Sequence, residues 1–163
     1  GFGLNFNSDP SPTERRIKEY VLAVTDLIFE KYPESRIVHY GRSLGSGPAC
    51  YACYKRPKVS GLVLESAFTT IFHTIVNFSF KIYGDLFRNI DIIGKIDTPL
   101  LLIHGLSDRI VPYHHAVELQ KNSKNVWGTL FLKNGSHNNL DSLPFRNELF
   151  FKLFRFVKMV ETI

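Results

Sequence analysis

The feature that most constrains this chain is IVHYGRSLGSGPAC, residues 37–50. A short apolar run stops at Gly41-Arg42-Ser43-Leu44-Gly45, and small residues suited to a closely packed helix follow at once. A serine flanked two residues away on each side by glycine, between a strand and a helix, is the turn that lifts a hydroxyl above the carboxyl edge of a parallel sheet. On this pattern Arg36 to Tyr40 is a strand and Ser43 to about Tyr54 a helix. The turn is tight enough to strain the serine, and bulky side chains at positions 41 and 45 are expected to clash. The new helix then aims its first amides at an oxygen that gains charge during attack. A glycine-rich turn whose serine merely caps a helix is the plainer reading of the same residues.

The rest of the chain repeats the strand–helix alternation. Ser11 reads as an N-cap, with Pro12 at the first helical position and Glu14 at the third. Ile17, Tyr20, Val21, Val24, Leu27 and Ile28 then recur at helical spacing until Pro33. Gly61 to Glu65 and Leu100 to His104 read as strands with continuous apolar character, and Trp127 to Leu132 as a further strand. Tyr113 to Asn122 and Pro144 to Val160 read as helices, the last with Phe150, Leu153, Phe154 and Val157 on one face. Residues 67–94 are rich in Phe and Ile without a clean period, which suggests a helical insert. Near-continuous apolar strands alternating with helices predict an α/β fold: one mostly parallel sheet with helices on both faces, in a single domain over residues 1–163.

Composition narrows the function classes. With 44% hydrophobic and 21% charged residues among 163, the chain is a folded domain and not a disordered one. No apolar run approaches the ~20 residues that span a bilayer. The formal charge of +5 comes from scattered groups such as Lys55, Arg56 and Lys58. These read as solvated helix faces, with weak attraction to anionic lipid as the alternative, and no nucleic-acid-binding motif accompanies them. Cys50 and Cys53 fall within the helix after Ser43, where small buried residues are wanted. They read as core thiols in a reducing compartment rather than a redox pair, which opens a helix.

A lone serine is a weak nucleophile and needs a base, itself held by an acid. In such sheets the order is serine, acid, histidine, each in a loop beyond the carboxyl end of a strand. LLLIHGLSDRIVP places Asp108 just beyond the strand ending at His104, and TLFLKNGSHNNL places His137 just beyond the strand from Trp127. The other histidines fit less well. His39 lies inside a strand, His73 in the insert, and His114 and His115 at a helix start, while His104 precedes the acid. A capping carboxylate at Asp108 and a turn residue at His137 are the plainer alternatives. A Ser-His-Asp set needs no cofactor or metal, and none is expected.

These blocks resemble the C-terminal part of serine hydrolases of the alpha/beta-hydrolase superfamily. Within it they are most similar to the Bem46-like group, which includes abhydrolase-17-type protein depalmitoylases. YGRSLGSGPA, LVLESAFTT, LFRNIDIIGKIDTPLLLIHGLSDRIVPYHHAVEL and GSHNNL carry the resemblance in order, over nearly the whole chain. It implies Ser43 as nucleophile, Asp108 as acid, His137 as base and the backbone N–H of Leu44 as one oxyanion donor. Asn138-Asn139 stands where the group has Asn-Asp. The group's first strands, its cysteine-rich lipidated N-terminus and the loop that supplies the second oxyanion donor have no counterpart in the sequence. The resemblance therefore implies a chain that starts mid-fold, roughly a hundred residues in. It also implies an open sheet edge along Arg36 to Tyr40 that invites self-association.

The resemblance implies hydrolysis of esters or thioesters, including removal of long-chain acyl (palmitoyl) groups from protein cysteines, in the cytoplasm or at the cytosolic face of membranes. The partners it implies are an acylated protein or a small acyl ester or thioester. Phe68 and Phe72, with Phe78, Phe80 and Phe87, either line an acyl pocket or bury the insert's short helices. A non-catalytic binding module of the same fold and a small-substrate carboxylesterase or serine peptidase remain as alternatives.

Overall fold

The computed structural model describes residues 13–71 and 85–163. Phe72, Phe78, Phe80 and His73 lie outside the described residues, as do Ser11 and Pro12. The elements are α1 (Glu14–Lys31), β1 (Val38–Arg42), a 3-10 turn (Ser43–Gly45), α2 (Ser46–Lys55), β2 (Gly61–Glu65) and α3 (Asn89–Ile92). There follow a second 3-10 turn (Ile93–Lys95), β3 (Leu100–Gly105), α4 (His114–Asn122), β4 (Val126–Leu132) and α5 (Arg146–Glu161).

The four strands form one parallel sheet in the order β1-β2-β3-β4. Parallel strands need crossovers, and the helices supply them, which leaves both sheet faces covered. Successive side chains point to opposite faces. Leu62, Leu64, Leu100 and Leu102 pack with Cys50, Cys53 and Leu119 under α1, α2 and α4. Val63, Leu101 and Ile103 pack with Leu149, Phe156 and Val160 of α5 on the other face. Every residue of β2 and β3 is buried, as their unbroken apolar character predicts. Both cysteines are free and buried, and burial pushes their thiols up, which suits inert packing groups.

Several boundaries differ from the sequence reading. β1 starts and ends two residues later than Arg36 to Tyr40, because Gly41 and Arg42 still pair with Leu64 and Glu65 of β2 before the chain turns. The helix after Ser43 opens with the 3-10 turn and becomes α-helical only at Ser46. α1 is capped by Thr13, whose side chain accepts the Arg16 N–H at 3.3 Å, and not by Ser11. The same chemistry thus acts two residues further on.

Packing also decides which face of each outer helix is buried. On α5, Phe150, Phe154 and Val157 are exposed, and the residues that meet the sheet are Leu149, Phe156 and Val160. On α1, Tyr20, Val24 and Leu27 are exposed, while Ile28 and Phe29 pack on the core. Both helices carry apolar residues around more of their circumference than one core-facing stripe requires.

Candidate active site

Three loops at the carboxyl end of the sheet build the site. At the end of β1, Ser43 takes a φ of 50°, in the left-handed region that costs a non-glycine residue strain. Gly41 is a steric necessity there. A Cβ on it would lie 2.6 Å from the Gly45 carbonyl oxygen and 2.7 Å from the Ala49 Cβ. Gly45 departs from the expected clash, since a Cβ on it meets nothing within 4 Å among the described residues. The close approach on the helix side falls instead on Gly47, whose added Cβ would sit 2.4 Å from the Phe87 ring.

Asp108 lies three residues beyond β3, buried. Its Oδ1 accepts the backbone N–H groups of Ile110 and Val111, each at 2.9 Å. Its Oδ2 lies 2.7 Å from Nδ1 of His137. Burial alone would raise the Asp108 carboxyl, but the donors from Val111, His137 and Ile110 outweigh it and hold the group below its ordinary value. It is therefore an anion at neutral pH.

His137 sits in the loop after β4 and is buried. With Nδ1–H donating to Asp108, its Nε2 is left as an acceptor, 2.9 Å from the Ser43 hydroxyl oxygen. The serine, histidine and aspartate named from the sequence therefore form one continuous hydrogen-bonded line. Asn139 Oδ1 accepts the Ser136 N–H at 2.7 Å and closes the turn ahead of the histidine. An asparagine performs this acceptor's task as well as an aspartate does. His104, the nearest competitor, is fully buried and gives its Nε2–H to the Val111 carbonyl at 2.8 Å. It packs behind Asp108 and keeps the turn in place, with its ring held neutral by burial.

Leu44 supplies the first amide after the serine, and the residue is 44% exposed. Phe68 is buried with Phe87 and Val111 in a small apolar cluster beside the Asp108 turn. That cluster supports the Asp108 loop from within. Phe72 lies outside the described residues.

Sequence reasoning passed over a set of polar residues next to the line. Arg42 donates through Nη2 to the His137 carbonyl at 2.8 Å and to Asn138 Oδ1 at 2.9 Å, and its Nε meets Glu65 Oε1 at 3.1 Å. The Tyr40 hydroxyl donates to the other oxygen of Glu65. One signal was present: Glu65 is a lone charge closing the apolar strand GLVLE, and a carboxylate in a fully buried strand needs partners.

No family model matches the chain. Among curated proteins it is 28% identical over 145 residues to alpha/beta hydrolase domain-containing protein 17B of Homo sapiens, covering 86% of this chain and 49% of that protein. The 17C protein of Xenopus tropicalis is 25% identical over the same length, with 45% of it covered. The chain thus spans about half the length of the curated relatives it matches. Among solved structures, the Pyrococcus furiosus esterase superposes with a TM-score of 0.76 at 18% identity, covering 93% of this chain and 65% of the esterase. The meta-cleavage product hydrolase of Pseudomonas fluorescens superposes with a TM-score of 0.74 at 13% identity, over 97% of this chain and 76% of that enzyme. The chain has the alpha/beta-hydrolase fold, and it is a distant relative of the alpha/beta hydrolase domain-containing 17B and 17C proteins.

Proposed function

We propose that the chain carries the nucleophile, base and acid of a serine hydrolase that cleaves esters or thioesters, with long-chain acyl groups on protein cysteines as the substrate. The observation that carries this is the unbroken line from Asp108 Oδ2 through both nitrogens of His137 to Ser43 Oγ, at 2.7 and 2.9 Å. Ser43 attacks the acyl carbonyl as His137 Nε2 takes its proton. The developing oxyanion is met by the Leu44 amide and the start of the following helix. His137 then protonates the leaving thiol or alcohol. Water, activated by the same imidazole, releases the acid and restores Ser43. Asp108 holds the Nδ1–H tautomer throughout and stabilises the transient imidazolium.

Support for an apolar acyl group comes from the loops that carry the three residues. Leu44 follows Ser43, Leu106 and Ile110 flank Asp108, and Leu143 follows His137, and all four are exposed. Exposed apolar residues collected around a polar site suit a lipid-like substrate. Among the described residues no helix is long and apolar enough to cross a membrane.

Reaction with a fluorophosphonate probe, lost in Ser43→Ala, tests the chemistry. A chain that takes no label is a binding module on the same fold. A series of acyl thioesters of increasing length tests the substrate class: rates that rise with chain length support the long-chain reading, and rates that peak at acetyl support a small-substrate esterase.

A further inference from the structure

Arg42 stands between Gly41 and the serine, and the hydrolytic steps give it no part. Its surroundings are specific. The parallel register sets Arg42 beside Glu65 at the carboxyl ends of β1 and β2. Tyr40, two residues earlier on β1, points to the same face and reaches the same carboxylate. The Glu65 side chain is only 6% exposed, so its charge is stabilised almost entirely by these two donors. With Nε held there, the guanidinium turns Nη2 toward the next loop, where it meets the His137 carbonyl and the Asn138 side chain together. We propose that Arg42 is a positioning residue that holds the His137 loop at working distance from Ser43, with Glu65 as its buried anchor. The consequence for rate rests on the hydrolase reading; the clamp itself does not.

Physical chemistry favours a positioning role over a purely stabilising one. The Arg42 side chain is 43% exposed, and an ion pair that reaches solvent contributes little net stability. A planar fork anchored at one edge, however, fixes direction as well as distance. Asp108 restrains the imidazole at Nδ1, Asn139 restrains the turn before it, and Arg42 restrains the backbone of His137 itself. Without Arg42, the histidine's backbone loses its tie to the strand that carries the serine. Displacement of a catalytic group by about 1 Å can cost ~10²-fold in rate.

The test uses the 163-residue chain, Arg42→Gln, Arg42→Lys, and the double variant Arg42→Gln/Glu65→Gln, which leaves no unpaired buried carboxylate. Two readouts are taken: saturation kinetics of Ser43 labelling by a fluorophosphonate, and the Nδ1–H proton signal of His137 in histidine-labelled protein. In Arg42→Gln and in the double variant alike, the limiting labelling rate is expected to fall roughly 10²-fold. The half-saturating probe concentration stays near its starting value, and the His137 Nδ1–H signal broadens or is lost. The double variant keeps the thermal midpoint of the unaltered chain, and Arg42→Lys restores only part of the rate, because an ammonium cannot reproduce the fork. A double variant that labels at the original rate with an unchanged His137 signal overturns the proposal. If the unaltered chain takes no label, the hydrolase reading falls, and the histidine signal still decides the clamp.

Discussion

The carboxyl end of the sheet and the outer flanks of α1 and α5 are built on opposite terms. At the sheet end, polar groups close on one another: Tyr40 and Arg42 on Glu65, Arg42 on the His137 loop, His137 on Asp108 and Ser43. Along the flanks, apolar groups face outward. Tyr20, Val24 and Leu27 on α1 and Phe150, Phe151, Phe154 and Val157 on α5 are all exposed. The first region spends buried polar groups on fixed directions, which matter to chemistry. The second leaves hydrophobic surface without cover among the described residues, which matters to association. Substitutions should therefore separate cleanly, with function lost at one region and solution behaviour altered at the other.

The largest expected effect belongs to the sheet end. Ser43→Ala and His137→Ala should each remove nearly all hydrolytic activity, and their combination should cost little more, because the residues act as a unit. Asp108→Asn should lower kcat on the order of 10⁴-fold by favouring the wrong imidazole tautomer. Kinetics on an active form check this. Losses that multiply across the three sites would detach at least one of them from the line.

Two phenylalanines on one helix sharpen the contrast next. Phe156 is fully buried against the sheet, and Phe156→Ala should lower stability by about 3–5 kcal/mol in chemical denaturation. Phe154, two residues away and 60% exposed, should cost no more than ~0.5 kcal/mol when replaced by alanine. Equal losses would mean that the flank of α5 is covered in solution.

A smaller effect follows pH. Burial lowers the affinity of His104 and His39 for a proton in the folded state. Below an ordinary histidine value of ~6.5 the unfolded chain binds protons that the folded chain refuses. Stability from these groups is thus complete above about pH 6.5 and is lost as pH falls below it. The depressed Asp108 carboxyl adds a further loss at pH below the ordinary carboxylate value of ~3.9. Thermal midpoints measured from pH 7.5 down to about 2 should decline on both steps. A His104→Gln variant should show a shallower first step, and an unchanged slope there would remove His104 from the account.

The smallest energetic change should have a visible outcome in association. Among the described residues β1 pairs only with β2, so its other edge takes no strand. With the apolar flanks on either side, the chain is expected to sediment as species heavier than a monomer. Val24→Glu with Phe154→Glu should shift it toward monomer without altering Ser43 labelling. A monomeric parent chain at high concentration would show that the flanks carry no association.

Much of the site is legible in the sequence. Gly41 and Ser43 identify the turn because their constraint is local: the close approach of Gly41 to Gly45 and Ala49 involves residues four and eight positions further along the chain. Asp108 and His137 were reachable by order and loop position, since a parallel sheet brings the carboxyl ends of its strands to one edge whatever their separation in the chain. The continuous apolar character of β2 and β3 likewise stated their burial on both faces. Apolar patterning thus determined by itself that this is an α/β sheet, and the glycine spacing around Ser43 determined which serine its first turn presents. Tertiary structure decided the rest, because it depended on pairs far apart in sequence. The extension of β1 through Arg42 came from its register with β2, and the Glu65 anchor from that same register. Periodicity says that α1 and α5 carry apolar residues, and only packing selects Phe156 over Phe154 for the core. A helix repeats every 3.6 residues on all its faces alike, and the sheet it crosses chooses which one is buried.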